Sequence, residues 1–151
     1  MAKLVWTEQA DIGIDEVDQQ HRKIVAYINQ LDDAYYSGLP RKKLGKIIND
    51  LVEYTVYHFK AEENLLEKAG YPFLKAHQKA HVLYAQGILD FQSRFEKGED
   101  ISGDMEGLLA KWFFDHLKHD DTDFVQYVAA YLREHGDGQM ERKGLLSRLF
   151  G

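Results

Sequence analysis

Residues 58–81 read HFKAEENLLEKAGYPFLKAHQKAH and hold three of the chain's seven histidines. His58 stands four residues before Glu62, and His77 four residues before His81. An α-helix turns about 100° per residue, so positions four apart return to nearly the same face one turn further on. Each pair can therefore aim two side chains at one spot. The stretch also contains its own break, AGYP at 69–72, with Gly70 and Pro72 separating two helical segments.

Working outward, four segments of helical period emerge. The first runs from about Asp18 to Ser37, with Ile24, Val25, Ile28 and Leu31 on one face. SGLP ends it, with Gly38 as the stop and Pro40 as the start of the next. The second carries Leu44, Ile47, Ile48, Leu51, Val52 and Thr55. A third, from about Phe73 to Glu96, carries Val82, Ile88, Leu89 and Phe95. KGEDISGD at 97–104 closes it, and Ser102 or Asp104 can cap a fourth holding Met105, Leu108, Leu109, Trp112, Phe113 and Leu117. Nothing alternates with a strand's period. Similar helices joined by short loops predict an all-α chain, an up-down-up-down antiparallel four-helix bundle. An irregular N-terminal arm precedes it, with Trp6 and Ile12 available to pack on the bundle. The expected organisation is a bundle domain over 1–134 and a short C-terminal tail over 135–151.

Composition narrows the chemistry. The length of 151 residues suits one domain burying roughly two-thirds of its unfolded surface. There are no cysteines, so any metal must be held by nitrogen and oxygen. A net charge of −6 argues against nucleic acid. No apolar run is long enough to span a membrane. The N-terminus shows no secretory signal, so a cytoplasmic location is the default expectation. The tail MERKGLLSRLFG (140–151) mixes Arg142, Lys143 and Arg148 with Leu145, Leu146, Leu149 and Phe150. It could dock a partner protein or a membrane surface; the simpler reading is a frayed, solvated end. No spare apolar stripe is evident, so a monomer is expected.

Histidines fall on every predicted helix: His21 on the first, His58 on the second, His77 and His81 on the third, His116 on the fourth. A His–Glu or His–His interval of four is a weak signal alone, since solvated helix pairs produce it as well. Five histidines beside apolar core positions are a stronger one, because buried imidazoles need hydrogen-bond partners or a metal. Five imidazoles exceed what one four-coordinate zinc takes. Two ions sharing carboxylates fit the count better. Ferritin-like di-iron sites use Glu-x-x-His motifs and a carboxylate-rich shell. A histidine-dominated, less anionic shell favours modest, reversible reaction with oxygen over oxygenase chemistry. Ser, Lys or Tyr nucleophiles with an activating base do not stand out, so the chain is not read as an enzyme.

These motifs resemble the hemerythrin family in its single-domain bacterial form, over about Trp6 to Leu132. GIDEVDQQH (13–21) resembles its N-terminal signature, HFKAEE (58–63) its His-x-x-x-Glu motif and HQKAH (77–81) its His-x-x-x-His motif. WFFDHLKHDD (112–121) resembles the last motif. The resemblance implies two irons, Fe2+ or Fe3+, bridged by Glu62, Asp121 and a solvent-derived oxo or hydroxo group. His77, His81 and His116 would complete one iron. His21 and His58 would hold the other, which keeps an open position for O2. Ile24, Phe59, Trp112, Phe113 and Leu117 line up with the family's apolar oxygen pocket, and also suit ordinary bundle core.

One assignment strains helical geometry. Asp121 lies about 140° round from His116, whereas Asp120 is nearly aligned with it. Spacing alone selects Asp120; the family pattern selects Asp121, which needs a local unwinding such as a π-bulge. His119 is read as an exposed partner of nearby acids, His135 as a helix C-terminal residue favoured by the dipole, and Glu63 as solvated. The expected function is reversible dioxygen binding for transport, storage or delivery. An oxygen- or redox-sensing interaction module, and a weak peroxidase or nitric-oxide scavenger, are the alternatives.

Overall fold

The computed structural model describes residues 11–101, Phe113, His116 and 123–135. Helix α1 spans Asp15–Tyr36, α2 Arg41–Lys68, α3 Leu74–Glu96 and α4 Val125–His135. Phe113 and His116 are also helical. The rest of the predicted fourth helix lies outside the described residues, including Ser102, Asp104, Met105, Leu108, Leu109, Trp112 and Leu117. Trp6 and the tail beyond His135 lie outside them too. The chain is all-α in the expected bundle arrangement, and among the described residues there is no strand.

Helix α1 begins three residues earlier than the apolar period suggested. Its first turn is acidic, with Asp15, Glu16 and Asp18 at the positive end of the helix dipole. The buried Asp18 carboxylate accepts the backbone N–H groups of Ile12, at 2.8 Å, and Gly13, at 3.1 Å. Gly13 sits at φ 92°, so the arm turns sharply onto the helix where a side chain would be strained. The α1–α2 and α2–α3 breaks fall where the glycines placed them. Leu39 N–H reaches back to Ala34 O (3.1 Å), and Tyr71 N–H to Leu66 O (3.0 Å), around Gly38 and Gly70 at positive φ. These are Schellman closures, which satisfy carbonyls that the helix end leaves over.

The interior has two apolar clusters. Ala34 at the end of α1, Leu44 at the start of α2 and Phe95 at the end of α3 share one, with Ile24, Ile28, Leu51, Ile88 and Phe113. Ile14 and Val17 at the start of α1, Leu65 and Leu66 at the end of α2, and Leu74 at the start of α3 share the other. Phe124, Val128 and Leu132 complete that second cluster. Ends meeting starts in this way makes successive helices antiparallel. Between the clusters lies a layer of buried polar side chains: Gln20, His21, His58, Glu62, His77, His81 and His116.

Two residues expected in the core of α3 are not there. Val82 is 54% exposed and Leu89 46%, while Ile88 and Phe95 are buried as expected. The inward face of α3 is set by His77, His81, Ile88, Phe91 and Phe95, at intervals of four, seven, three and four. Val82 and Leu89, seven apart, form a neighbouring row that the histidine register turns outward. Helix α4 was not separated in the sequence from the fourth segment; a turn at Asp123–Phe124 precedes it.

Candidate metal centre

Three helices supply the polar layer at matching heights, because the antiparallel run sets early α1 beside late α2 and early α3. On α2, Thr55, His58, Phe59 and Glu62 are all buried, a three–four spacing that turns one face inward. His58 and Glu62 have no exposed side-chain surface.

Glu62 lies at the middle. Its Oε1 is 2.6 Å from His77 Nε2 and 3.0 Å from His81 Nε2. Its Oε2 faces the other way, 3.3 Å from His58 Nε2 and 3.7 Å from His21 Nε2. His21 Nε2 and His58 Nε2 are 3.0 Å apart. Two groups result, His21–His58–Glu62 and Glu62–His77–His81, in each of which one donor atom per residue lies within 4.8 Å of the others. Each takes one oxygen of the same carboxylate.

The far sides of two rings are fixed by other residues. His58 Nδ1 donates to Gln20 Oε1 at 2.6 Å, and His81 Nδ1 donates to Glu63 Oε2 at 2.8 Å. An imidazole whose Nδ1 carries the proton presents an Nε2 lone pair, so both rings are set to donate electrons inward. Gln20 was not singled out in the sequence. Glu63, read as solvated, is only 23% exposed at its side chain and reaches across to α3. The available signal was its place directly after Glu62, with a histidine on the next helix needing an acceptor.

Burial on its own would push the Glu62 carboxyl up, but the four surrounding histidines hold it well below the usual carboxylate range. The group is therefore an anion at neutral pH, set among imidazole nitrogens. Among the described residues Glu62 Oε2 accepts no hydrogen bond in good geometry. A buried anionic oxygen in that condition is costly, and a cation between it and the imidazoles would satisfy it. Imidazole nitrogen with carboxylate oxygen suits iron, zinc or copper, so the donor set fits a pair of first-row ions.

His116 stands beside this set. Its ring centroid is 5.0 Å from that of His81 and 6.0 Å from that of His77, with Tyr84 at 4.6 Å. Of the apolar residues expected round the centre, Ile24, Phe59 and Phe113 are buried, with Ile24 and Phe113 in the first apolar cluster. Phe113 meets the His21 ring edge-on at 5.8 Å. Trp112, Leu117, His119, Asp120 and Asp121 lie outside the described residues. His135 ends α4, its Nδ1 3.0 Å from Tyr131 O, as a C-terminal histidine should.

Comparison with known proteins agrees with this geometry. The family profile described as the hemerythrin HHE cation binding domain matches residues 12–128. The chain belongs to the hemerythrin family. Among similar hemerythrins, the bacteriohemerythrin of Stenotrophomonas maltophilia is 41% identical over the whole of both chains. That of Pseudomonas aeruginosa is 40% identical over 89% of this chain and 87% of its own. A crystal structure of wild-type hemerythrin superposes with a TM-score of 0.77 at 28% identity, covering 85% of this chain and 99% of that one. Among the described residues of this hemerythrin, no helix is long and apolar enough to cross a membrane.

Proposed function

We propose that this hemerythrin binds dioxygen reversibly at a pair of irons and acts as a carrier, store or donor of oxygen rather than as an enzyme. His21 and His58 would hold one iron and His77, His81 and His116 the other, with Glu62 and Asp121 shared between them. The observation that carries the reading is the division of Glu62: Oε2 toward His21 and His58, Oε1 toward His77 and His81. One carboxylate divided in this way suits two ions better than one. When bound, the irons would supply the electrons that dioxygen takes up and gives back.

The chain's own part is to bind, orient and keep dry. Gln20 and Glu63 hold the His58 and His81 rings with Nε2 directed inward. Glu62 and Asp121 would bring only two carboxylates to a shell otherwise made of imidazoles, in keeping with a mild reaction. Ile24, Phe59 and Phe113 exclude water, which would otherwise deliver protons and promote irreversible oxidation.

The test is iron stoichiometry together with the visible spectrum of one sample, taken reduced without oxygen, with oxygen, and after its removal. About two irons per chain and a colour that comes and goes with oxygen support the proposal. A colour that never reverses would favour a sensor or an enzyme. No iron would remove the reading altogether.

A further inference from the structure

The two halves of the centre differ in what stands behind them. Behind His58 is an amide, Gln20 Oε1 at 2.6 Å from Nδ1; behind His81 is a carboxylate, Glu63 Oε2 at 2.8 Å from Nδ1. Both rings are almost wholly buried, at 0% and 2% exposure; the bond to Gln20 is buried, and the bond to Glu63 is partly so. The outer residues are each tied to the centre by the backbone. Gln20 on α1 precedes His21 and orients a ring on α2; Glu63 on α2 follows Glu62 and orients a ring on α3.

An imidazole that donates its N–H to a carboxylate carries more electron density on its other nitrogen than one that donates to a neutral amide. That nitrogen is the better metal donor, and the nearby negative charge further favours a cation. We infer that Glu63 and Gln20 set unequal metal affinities in the two halves: Glu63, acting through His81, makes the Glu62–His77–His81 half the tighter position, while Gln20, acting through His58, leaves the His21–His58 half weaker. Both are positioning residues. The inference rests on the proposal that these side chains hold metal, and it adds which position fills first and what sets the gap. A mono-metal form with the His21–His58 half unfilled is then the natural intermediate of assembly.

Counting histidines alone would also favour the half beside His116, so filling order by itself does not test the roles of Glu63 and Gln20. The deciding experiment titrates Co2+ into the apo full-length chain and into Glu63→Gln and Gln20→Glu. The hyperfine-shifted imidazole N–H resonances of His58 and His81, assigned by selective labelling, report each half separately. Circular dichroism confirms that the variants keep their helices. In the unaltered chain the His81 signal should appear with the first equivalent and the His58 signal with the second. Glu63→Gln should weaken the His81 half by about 10–100-fold, leaving the His58 half nearly unchanged. Gln20→Glu should tighten the His58 half and narrow the gap. Equal shifts in both halves, or none in either variant, would overturn the inference while leaving the paired site intact. Failure of the unaltered chain to bind Co2+ at all would overturn the paired site and the inference with it.

Discussion

The ring of Phe59 lies flat on that of His81, 4.0 Å between centroids and 11° from parallel. The same phenyl meets the His116 ring edge-on at 5.4 Å. One α2 side chain thus holds two rings from outside its own helix, while standing one residue after His58. Phe59→Ala would leave a cavity at the centre of the bundle and free the His81 ring. Its cost should be about 3–5 kcal/mol in urea unfolding of the apo chain. Phe59→Leu, closer in volume, should cost less than half of that and keep the fold. Metal binding should suffer in both, because the stack orients His81. A Phe59→Leu variant with unaltered metal affinity would show that Glu63 alone orients the ring.

Glu62→Gln should remove both metal positions together, since each takes an oxygen of this carboxylate. A change at His77 should weaken one half more than the other. Acid adds a second signature in the apo chain. The histidines hold Glu62 well below its ordinary value of 4.5, against the opposing push of burial. A depressed folded-state value means stability that is fully present above about pH 4.5 and lost as pH falls through the folded value. The advantage of the unaltered chain over Glu62→Gln, measured by urea unfolding, should therefore shrink below pH 4.5. An advantage that grew in acid would contradict the arrangement of charges round Glu62.

The bundle and the clustered histidines were legible because several local signals, each weak alone, agree. Gly38 and Gly70 break the helical period where a left-handed residue is needed, and the four-residue intervals place His58 with Glu62 and His77 with His81. Val82 and Leu89 misled because a row seven apart looks like a core stripe, and only packing shows which of two adjacent rows faces in. Gln20 and Glu63 were illegible for another reason. Each serves a histidine 38 or 18 residues away on a neighbouring helix. Spacing along one helix carries no record of such a contact.

Thr55 lies on the same α2 face as His58 and Glu62 and is 1% exposed. Among the described residues its Oγ1 has no hydrogen-bond partner. A buried hydroxyl in that condition forfeits its hydration, so an apolar group of the same shape should be neutral or better. Thr55→Val is expected to raise apo stability by up to about 1 kcal/mol without changing metal stoichiometry. Loss of stability in this variant would mean that the hydroxyl is satisfied in solution.

The remaining ligand of the proposed centre is a choice between neighbours, Asp120 and Asp121. The described donors lie on regular helix: His58 and Glu62 are four apart, and so are His77 and His81. The same rule applied from His116 selects Asp120, which an ideal helix brings nearly under that ring. The hemerythrin pattern selects Asp121, and the chain's family membership gives that pattern weight. The extra residue then demands a local widening of the helix, a feature that clusters at functional sites. Asp121→Ala should accordingly lose iron, while Asp120→Ala should keep about two per chain. The measurement is metal content after reconstitution, with helicity as the control for folding. Iron retained in Asp121→Ala and lost in Asp120→Ala would restore the regular helix and assign the ligand to Asp120.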